Sequence, residues 1–537
     1  FTDNEVTPTN TYCQVWNASK NVAYGPVAAH VFETPGPYSV CLTVTGSSGT
    51  APAVCQTIMV SDPATVFSGT NTTCVAQGTL PVQGVDGCPS GAAVAQQANW
   101  ATILSTYALT GQRVLLKHDD TFTDGVTSAT IAQAGPGTVD MYGSGAQPIV
   151  QATVTMTSGG MLGVSTGAND WRVRNIQFDP NGNVANMSTL SNAVKQILFE
   201  NLTTSGAMNG IVSNVPPANG IIDQLFVVNM TAQNSVCGAV SGQILYIDGM
   251  SNSAFMGNDF ENSMSPTLAC QEVFRIQRHN KVFISHNYLA RALSSKGVLL
   301  IHGDAATSTV VGQDVVSDNV LVADSNQSQP FVIDPESGTY NEPIQNVIYE
   351  RNYMVGPGKV FDWINIIAQL VTFRLNIFNQ PAMIPNNGSN GLVTTLSGGA
   401  TTQVPGNNFY YNNTEYATGT ATSNHFDVVN FFVSGLGANT VENMLAYIPN
   451  DGAPTVVKNP TNATPCTGCT GASNSSNTQA KSTPNFTNAS GTLTVPADFT
   501  PNTGSYAIAA GANVPVYYDF FRTPWVNGSY DMGAVHH

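Results

Sequence analysis

The sequence predicts an all-β protein: a small N-terminal β-sandwich, then a long parallel β-solenoid that begins under one short helix. Three observations predict it. Charged residues make up only 9% of the 537 positions while Val, Ile and Phe recur in short runs among Gly, Ser, Thr and Asn, a balance that favours strands and turns over exposed helices. Near the N-terminus, alternating apolar residues flank a Gly/Ser turn. Through the middle of the chain an asparagine returns after a strand-like run every 24 to 33 residues.

In "HVFETPGPYSVCLTVTGSSGTAPAVCQTIMV", Tyr38, Val40, Leu42 and Val44 share one face, and Val54, Ile58 and Val60 return after the turn. Cys41 and Cys55 take the opposite parity, about symmetrically around that turn, which fits a cross-strand disulfide and leaves Cys13 over. Through "FTDN" at 1–4 and "HVFETPGPYSVCLTVT" at 30–45 the segment resembles a PKD domain, an immunoglobulin-like extracellular module. The resemblance implies a sandwich over 1–61 with Phe1 in the second strand, so that the first strand is missing, either cut off or supplied by another chain.

Residues 62–91 read as a linker carrying Cys74 and Cys88. In "QQANWATILSTYALTGQ", Trp100, Ile103, Leu104 and Tyr107 fall at helical spacing and Gly111 stops the run, so a capping helix is expected at the exposed sheet end. The parallel β-helix is expected over 92–415. Its repeat is carried by Asn175, Asn201, Asn229, Asn258, Asn287, Asn319, Asn352 and Asn376, each after a run such as "VFISHN" or "VVSDN". A stacked asparagine can bond the backbone of neighbouring turns and satisfy polar groups at a corner.

Beyond 416 the regularity fades into loop-rich coils and a closing segment reaching 537. "NTVENMLAYI" predicts a short helix with Asn439 as N-cap and Glu442 three residues on, and residues 453–492 read as a long decorated loop. The phrases "GSYAIAAG" and "DMGA" resemble the closing segment of secreted right-handed parallel β-helix proteins, which implies that handedness.

A net charge of −16 and a pI near 4.7 exclude nucleic acid and anionic membrane surfaces as general partners. No apolar run approaches the roughly twenty residues that span a membrane. P-loop, dinucleotide and nucleophile-elbow signatures are absent from the sequence. The cysteine pairs Cys41/Cys55, Cys74/Cys88, Cys237/Cys270 and Cys466/Cys469 suit local disulfides outside a reducing compartment. "CTGC" at 466–469 also has zinc-like spacing, without a second pair to complete a site. Sequons at Asn17, Asn71, Asn186, Asn201, Asn229, Asn326, Asn387, Asn412, Asn462, Asn474, Asn485, Asn488 and Asn527 permit glycosylation.

Charge concentrates between Asn258 and Asp304. Arg278, Arg291 and His279 are candidates for substrate binding there, and Lys296, Arg275, His302 and Glu272 for catalysis. On a solenoid these could converge on one groove for a linear polysaccharide, whose hydroxyls need donors and acceptors and whose carboxylates need cations. "QEVFRIQ" to "GVLLIHG" loosely resembles β-helical lyases of the alginate and chondroitin type, a resemblance that makes Lys296 the base of a β-elimination. Where those lyases carry Arg before the His, this chain has Ile301.

Asp314, Asp318, Asp334 and Glu336 could supply the carboxylate pair, about 6.5 to 9.5 Å apart, of an inverting hydrolase. Asp119, Asp120 and Asp124 offer hard oxygens for Ca2+. The expected protein is extracellular or on the cell surface and engages polysaccharide along its flank. The competing expectation is a structural subunit that self-associates into a fibre through the incomplete sandwich.

Overall fold

The computed structural model describes residues 21–46, 48–126, 128–191, 193–214, 220–235, 243–262, 272–290, 297–303, 311–323, 330–334, 344–356, 364–380, 392–394, 405–420, 425–431, 436–459, 465–488, 493–525 and 528–537. Parallel strands wind into a β-solenoid with three faces. On the first, Leu245–Ser251, Phe274–Asn280, Leu299–His302 and Phe331–Asp334 stack turn upon turn. On the second, Ile222–Val228, Ala254–Met256, Phe283–Ser285, Val315–Ser317, Ile348–Glu350 and Thr372–Arg374 do the same. The third is a 12-stranded sheet running from Thr121–Asp124 to Leu445–Tyr447.

Strand alternation sends every second side chain inward. Phe274, Ile276, Ile284 and Leu289 therefore join one core that runs the length of the solenoid. Inside it Phe331, Tyr349, Phe373 and Tyr410 stack with successive centroids 4.7, 5.2 and 5.4 Å apart.

Two corners of each turn hold a residue in the left-handed region, and this resolves the asparagine repeat into two columns. Asn175, Asn201 and Asn229 have φ of 57°, 53° and 52°, a conformation that Asn tolerates better than most residues. Gly257, His286, Asp318 and Arg351 continue that column. Asn258, Asn287, Asn319, Asn352 and Asn376 occupy the next position, where Ile176, Leu202 and Met230 stand in earlier turns, and all five are buried. Asn287 Nδ2 donates to Asn319 Oδ1 at 2.9 Å and to the carbonyl of Phe255 at 3.0 Å, and each rung through Asn376 and Asn413 repeats the pattern.

The solenoid runs past both expected boundaries. Thr72–Ala76, inside the expected linker, pairs with Arg113–Lys117, and Cys74 is bridged to Cys88. The helix spans Trp100–Tyr107, capped by Asn99, with Trp100, Ile103 and Leu104 buried and the Trp100 indole donating to the carbonyl of Met161 at 2.7 Å. At the other end the expected helix at Asn439 is instead two strands, Asn439–Glu442 and Leu445–Tyr447, separated by Asn443 at φ 62°. The pattern "VEN" is one more turn of the repeat, and pairing along the stack outweighs the local capping signal. Thr455–Lys458 and Cys466–Thr467 extend the stack into the expected loop, and Cys466 is bridged to Cys469, not presented to zinc.

Residues 1–20 of the N-terminal module lie outside the described ones, and those described show small antiparallel sheets and not two packed layers. Among the described residues, Gly36–Leu42 pairs antiparallel only with Val54–Val60, with Cys41 opposite Cys55 and disulfide-bonded. No second sheet of described residues packs on this ribbon, and Val54 is 74% and Met59 71% exposed.

Stretches near both ends of the described chain lie on the second face, while Met532, Ala534 and Val535 close on the third. Ala23, Val27 and Ala29 pack on Ala254, Phe283 and Val315, and Val514 and Val516 pack on Leu375 and Tyr411. Between them sits a buried charge network. Arg351 donates to Asp318 at 2.9 and 3.0 Å and lies 2.8 Å from Glu350; Arg374 donates to Glu350 and Arg522 to Asp318. Tyr24 and Tyr518 lie against the Arg351 guanidinium, with ring centroids 5.0 and 5.2 Å away. Burial pushes the Asp318 carboxyl up, but Arg351 and Arg522 outweigh it and hold the group far below the usual carboxylate range.

Candidate functional site on the first face

Outward positions of adjacent turns gather the charges that the sequence crowds together. Tyr246, Arg275 and Leu300 stand in one column, and Asp248, Gln277 and His302 in the next. The Arg275 guanidinium lies 5.3 Å from the Tyr246 ring centroid and 3.4 Å from Glu272, whose other oxygen accepts from Gln243 at 2.6 Å. Tyr246 donates to Gln277 at 2.6 Å.

Arg278 breaks the strand with φ 46° and donates to Asp248 at 2.7 Å. Its guanidinium rests over Gly249, where a Cβ would come within 3.0 Å of Nη2. Gly249 itself has φ 80°, which glycine adopts without penalty. Gly249→Ala should therefore displace Arg278 and free Asp248, to be read as a lower thermal midpoint by about 1–2 kcal/mol equivalent.

Arg275, Arg278 and His302 are 7%, 8% and 4% exposed, so a ligand reaches only an edge of each. Glu272 is fully buried beside Arg275 and serves to hold that cation. His279 does not face the flank: it points into the solenoid, 2.7 Å from Asp314, with both side chains at 0% exposure. The left-handed Arg278 shifts the alternation by one and turns His279 inward. Lys296 and Arg291 lie outside the described residues, as do Cys13, Cys237, Cys270, Asn17, Asn326, Asn387, Asn462 and Asn527.

Tyr246, Asp248 and Gln243 were not singled out from the sequence. They sit one turn earlier, in a charge-poor phrase, and only the register of 29 to 31 residues between partner positions brings them alongside Arg275, Arg278 and Glu272.

Of the four carboxylates considered for inverting hydrolysis, the two with described side chains do not form an open pair. Asp314 is interior, Asp318 is held by Arg351 and Arg522, and the side chain of Asp334 and all of Glu336 lie outside the described residues.

The calcium candidates also part. Asp119 accepts from Ala146 N and lies 2.5 Å from His118, whose other ring nitrogen meets Asp86; Asp120 accepts from Gln77 N; Asp124 accepts from Val126 N. Among the described residues no three His, Cys, Asp or Glu are grouped to hold a metal ion. Asp124 is fully buried, one oxygen lacks a hydrogen-bond partner, and burial pushes its pKa up to about 6.

Because the folded chain keeps the Asp124 proton that the unfolded chain releases near pH 4, stability from this group declines as pH rises from about 4 to about 6. The expected loss is on the order of 2–3 kcal/mol. Asp124→Asn should flatten that decline in thermal midpoints measured across this window; an unchanged slope would refute the assignment.

Three sequons are closed in the folded chain, because Asn186, Asn412 and Asn474 are buried and their Nδ2 atoms donate to backbone carbonyls. Asn71 and Asn201 are exposed.

The fold and this cluster define a disulfide-bonded β-solenoid with a polar cluster on one face. No family model and no curated protein match the chain. Among solved structures it is similar to the pectate lyase Pel9A at 13% identity, covering 88% of this chain and 97% of that one with a TM-score of 0.37. It is also similar to a Family 28 exopolygalacturonase of Yersinia enterocolitica at 10% identity, covering 82% and 84% with a TM-score of 0.48. A rhamnogalacturonan lyase aligns at 11% identity over 70% and 87% with a TM-score of 0.39. These likenesses are distant and describe the solenoid fold.

Proposed function

We propose that the protein works outside the reducing cytoplasm and engages an extended polysaccharide across the first face. Three disulfides among the described residues suit that compartment, and no described helix is long and apolar enough to cross a membrane. The observation that carries the reading is the convergence of Tyr246, Arg275, Gln277, Asp248, Arg278 and His302 on adjacent turns. Glu272 and Asp248 each hold one of the two arginines and leave an edge of the guanidinium toward the flank, from which a sugar hydroxyl or carboxylate can accept.

The reaction class this set would serve is β-elimination on a uronic acid. Lys296 would take the proton beside the carboxylate, an arginine edge would neutralise that carboxylate, and His302 would stand near the leaving oxygen. The test offers alginate, pectate, chondroitin and hyaluronan and follows ultraviolet absorbance of the unsaturated product together with binding. A rise that Lys296→Ala abolishes supports an eliminating lyase. Binding without a rise, weakened about tenfold or more by Arg275→Ala, supports a binder. No binding to any of them sinks the reading.

The exposed N-terminal ribbon favours a second reading, self-association into a filament. Its paired strands have no further neighbour among the described residues and present Leu42, Val44, Val54 and Met59. Sedimentation of the native protein separates the two: polymers favour the filament, and a monomer favours the polysaccharide binder.

A further inference from the structure

We propose that the corner between the first and second faces forms a separate binding groove for a neutral, linear glycan. A groove of about 800 Å³ runs there, walled on one side by the N-terminal stretch Pro26–Ala29. That volume lies within the roughly 300–1,000 Å³ typical of ligand sites.

The groove follows the corner column Asn252, Lys281, Gln313, Asn346 and Leu370, five successive rungs, while Val27 and Ala29 cover the middle of the second-face column beside it. At about 4.8 Å per rung the column is on the order of 20 Å long, a length for an oligomeric chain and not for a single small molecule. Phe226 and Phe409 are half-buried at its two ends, whereas Phe283 between them is buried beneath Val27 and Ala29. Aromatic rings offer sugar C–H faces a flat apolar surface.

The rim is polar and repeats with the turns. Lys281, Gln313 and Asn346 occupy the left-handed corner on three successive rungs, with φ of 55°, 61° and 58°, and all three are exposed. The corner conformation takes these residues out of the strand alternation and leaves two amides in line along the axis, each able to donate and accept.

The charge decides the ligand class. Among the described lining residues Lys281 is the sole ionisable group and there is no carboxylate. A polyanion would find one countercharge along the groove and a polycation none. A purely apolar partner would leave the amides without hydrogen bonds. A hydroxyl-rich, uncharged chain with apolar ring faces satisfies both floor and rim.

This site does not depend on the first-face cluster, and the experiment separates the two. Hexasaccharides of β-1,4-glucan, β-1,4-mannan and β-1,4-xylan are titrated calorimetrically beside a hexauronide. At least one neutral hexasaccharide is expected to bind, about tenfold or more tighter than its disaccharide. Gln313→Gly with Asn346→Gly, both exposed and both free to keep the left-handed corner, should weaken it about tenfold while the thermal midpoint stays put. Arg278→Ala should leave it unchanged. The proposal is overturned if no neutral hexasaccharide binds, or if the double variant binds as the parent does. It is equally overturned if Arg278→Ala alone removes binding, which would place the glycan on the first face.

Discussion

Asn319→Ala is expected to lower the unfolding free energy by about 4 kcal/mol, among the largest effects of any single substitution in this chain. Asn319 Oδ1 accepts from the backbone N–H and the side-chain amide of Asn287 at 3.0 and 2.9 Å, and its Nδ2 donates to Ile284 O and Asn352 Oδ1 at 3.0 and 2.9 Å. All of this is away from water. Alanine would strand two donors on one side and two acceptors on the other, and each orphaned donor costs roughly 1–3 kcal/mol. Asn258 closes the column against Met230 and accepts only from the Met230 N–H across that boundary. Asn258→Met should therefore cost less than Asn319→Ala, since it strands one donor instead of two. Each solenoid turn leans chiefly on its neighbours, so the loss should also show as faster amide exchange at the turns flanking the substitution. Equal midpoints for the two variants would mean that the ladder does not bear on stability.

Arg351→Met should cost about 3–5 kcal/mol and loosen the stretches near both ends of the chain from the second face. The substitution removes the shared partner of Asp318 and Glu350, which are themselves buried at 4% and 0% exposure. Arg374 and Arg522 remain and hold one carboxylate each. Tyr24 and Tyr518, whose rings are 4.4 Å apart, lose the cation between them and the solenoid. Limited proteolysis should then cut within 21–31 and 514–525 faster than in the parent. Neutralising a carboxylate as well, by Asp318→Asn in the Arg351→Met background, should return part of the stability, because the burden lies in the uncompensated charge.

The network also sets an acid limit. Asp318 and Glu350 are held ionised below the ordinary range, chiefly by Arg351 against the opposing effect of burial. Their contribution is full above the unfolded carboxylate pKa near 4 and is lost as pH falls below it. Asp124 acts in the opposite sense over about pH 4 to 6, so the two groups are separable in one pH series.

Part of the candidate cluster was legible in the sequence. The crowding of Glu272, Arg275 and Arg278 into one strand region of a charge-poor chain marked the first face, and the structure brings them together with His302. His279 was misplaced because a single left-handed residue, Arg278, reverses the side of the sheet on which everything after it points. Tyr246 and Asp248 escaped notice because a residue one turn away in space is some thirty positions away in sequence, with no charge signal of its own.

The sequence by itself determined what depends on near neighbours. The inward alternation, the Trp100 helix, the bridge between Cys41 and Cys55 and the rhythm of the turns all follow from local spacing. Stacking repeats this local pattern, which is why a solenoid is readable at all. Only the tertiary structure decided the division of the asparagines into a corner column and a buried ladder, since the two differ by one residue. It alone decided, too, that "NTVENMLAYI" pairs as strands and that Tyr24 and Tyr518 meet over Arg351. Those outcomes rest on partners a full turn or nearly the whole chain away, and residues so distant leave no periodic trace by which one could announce the other.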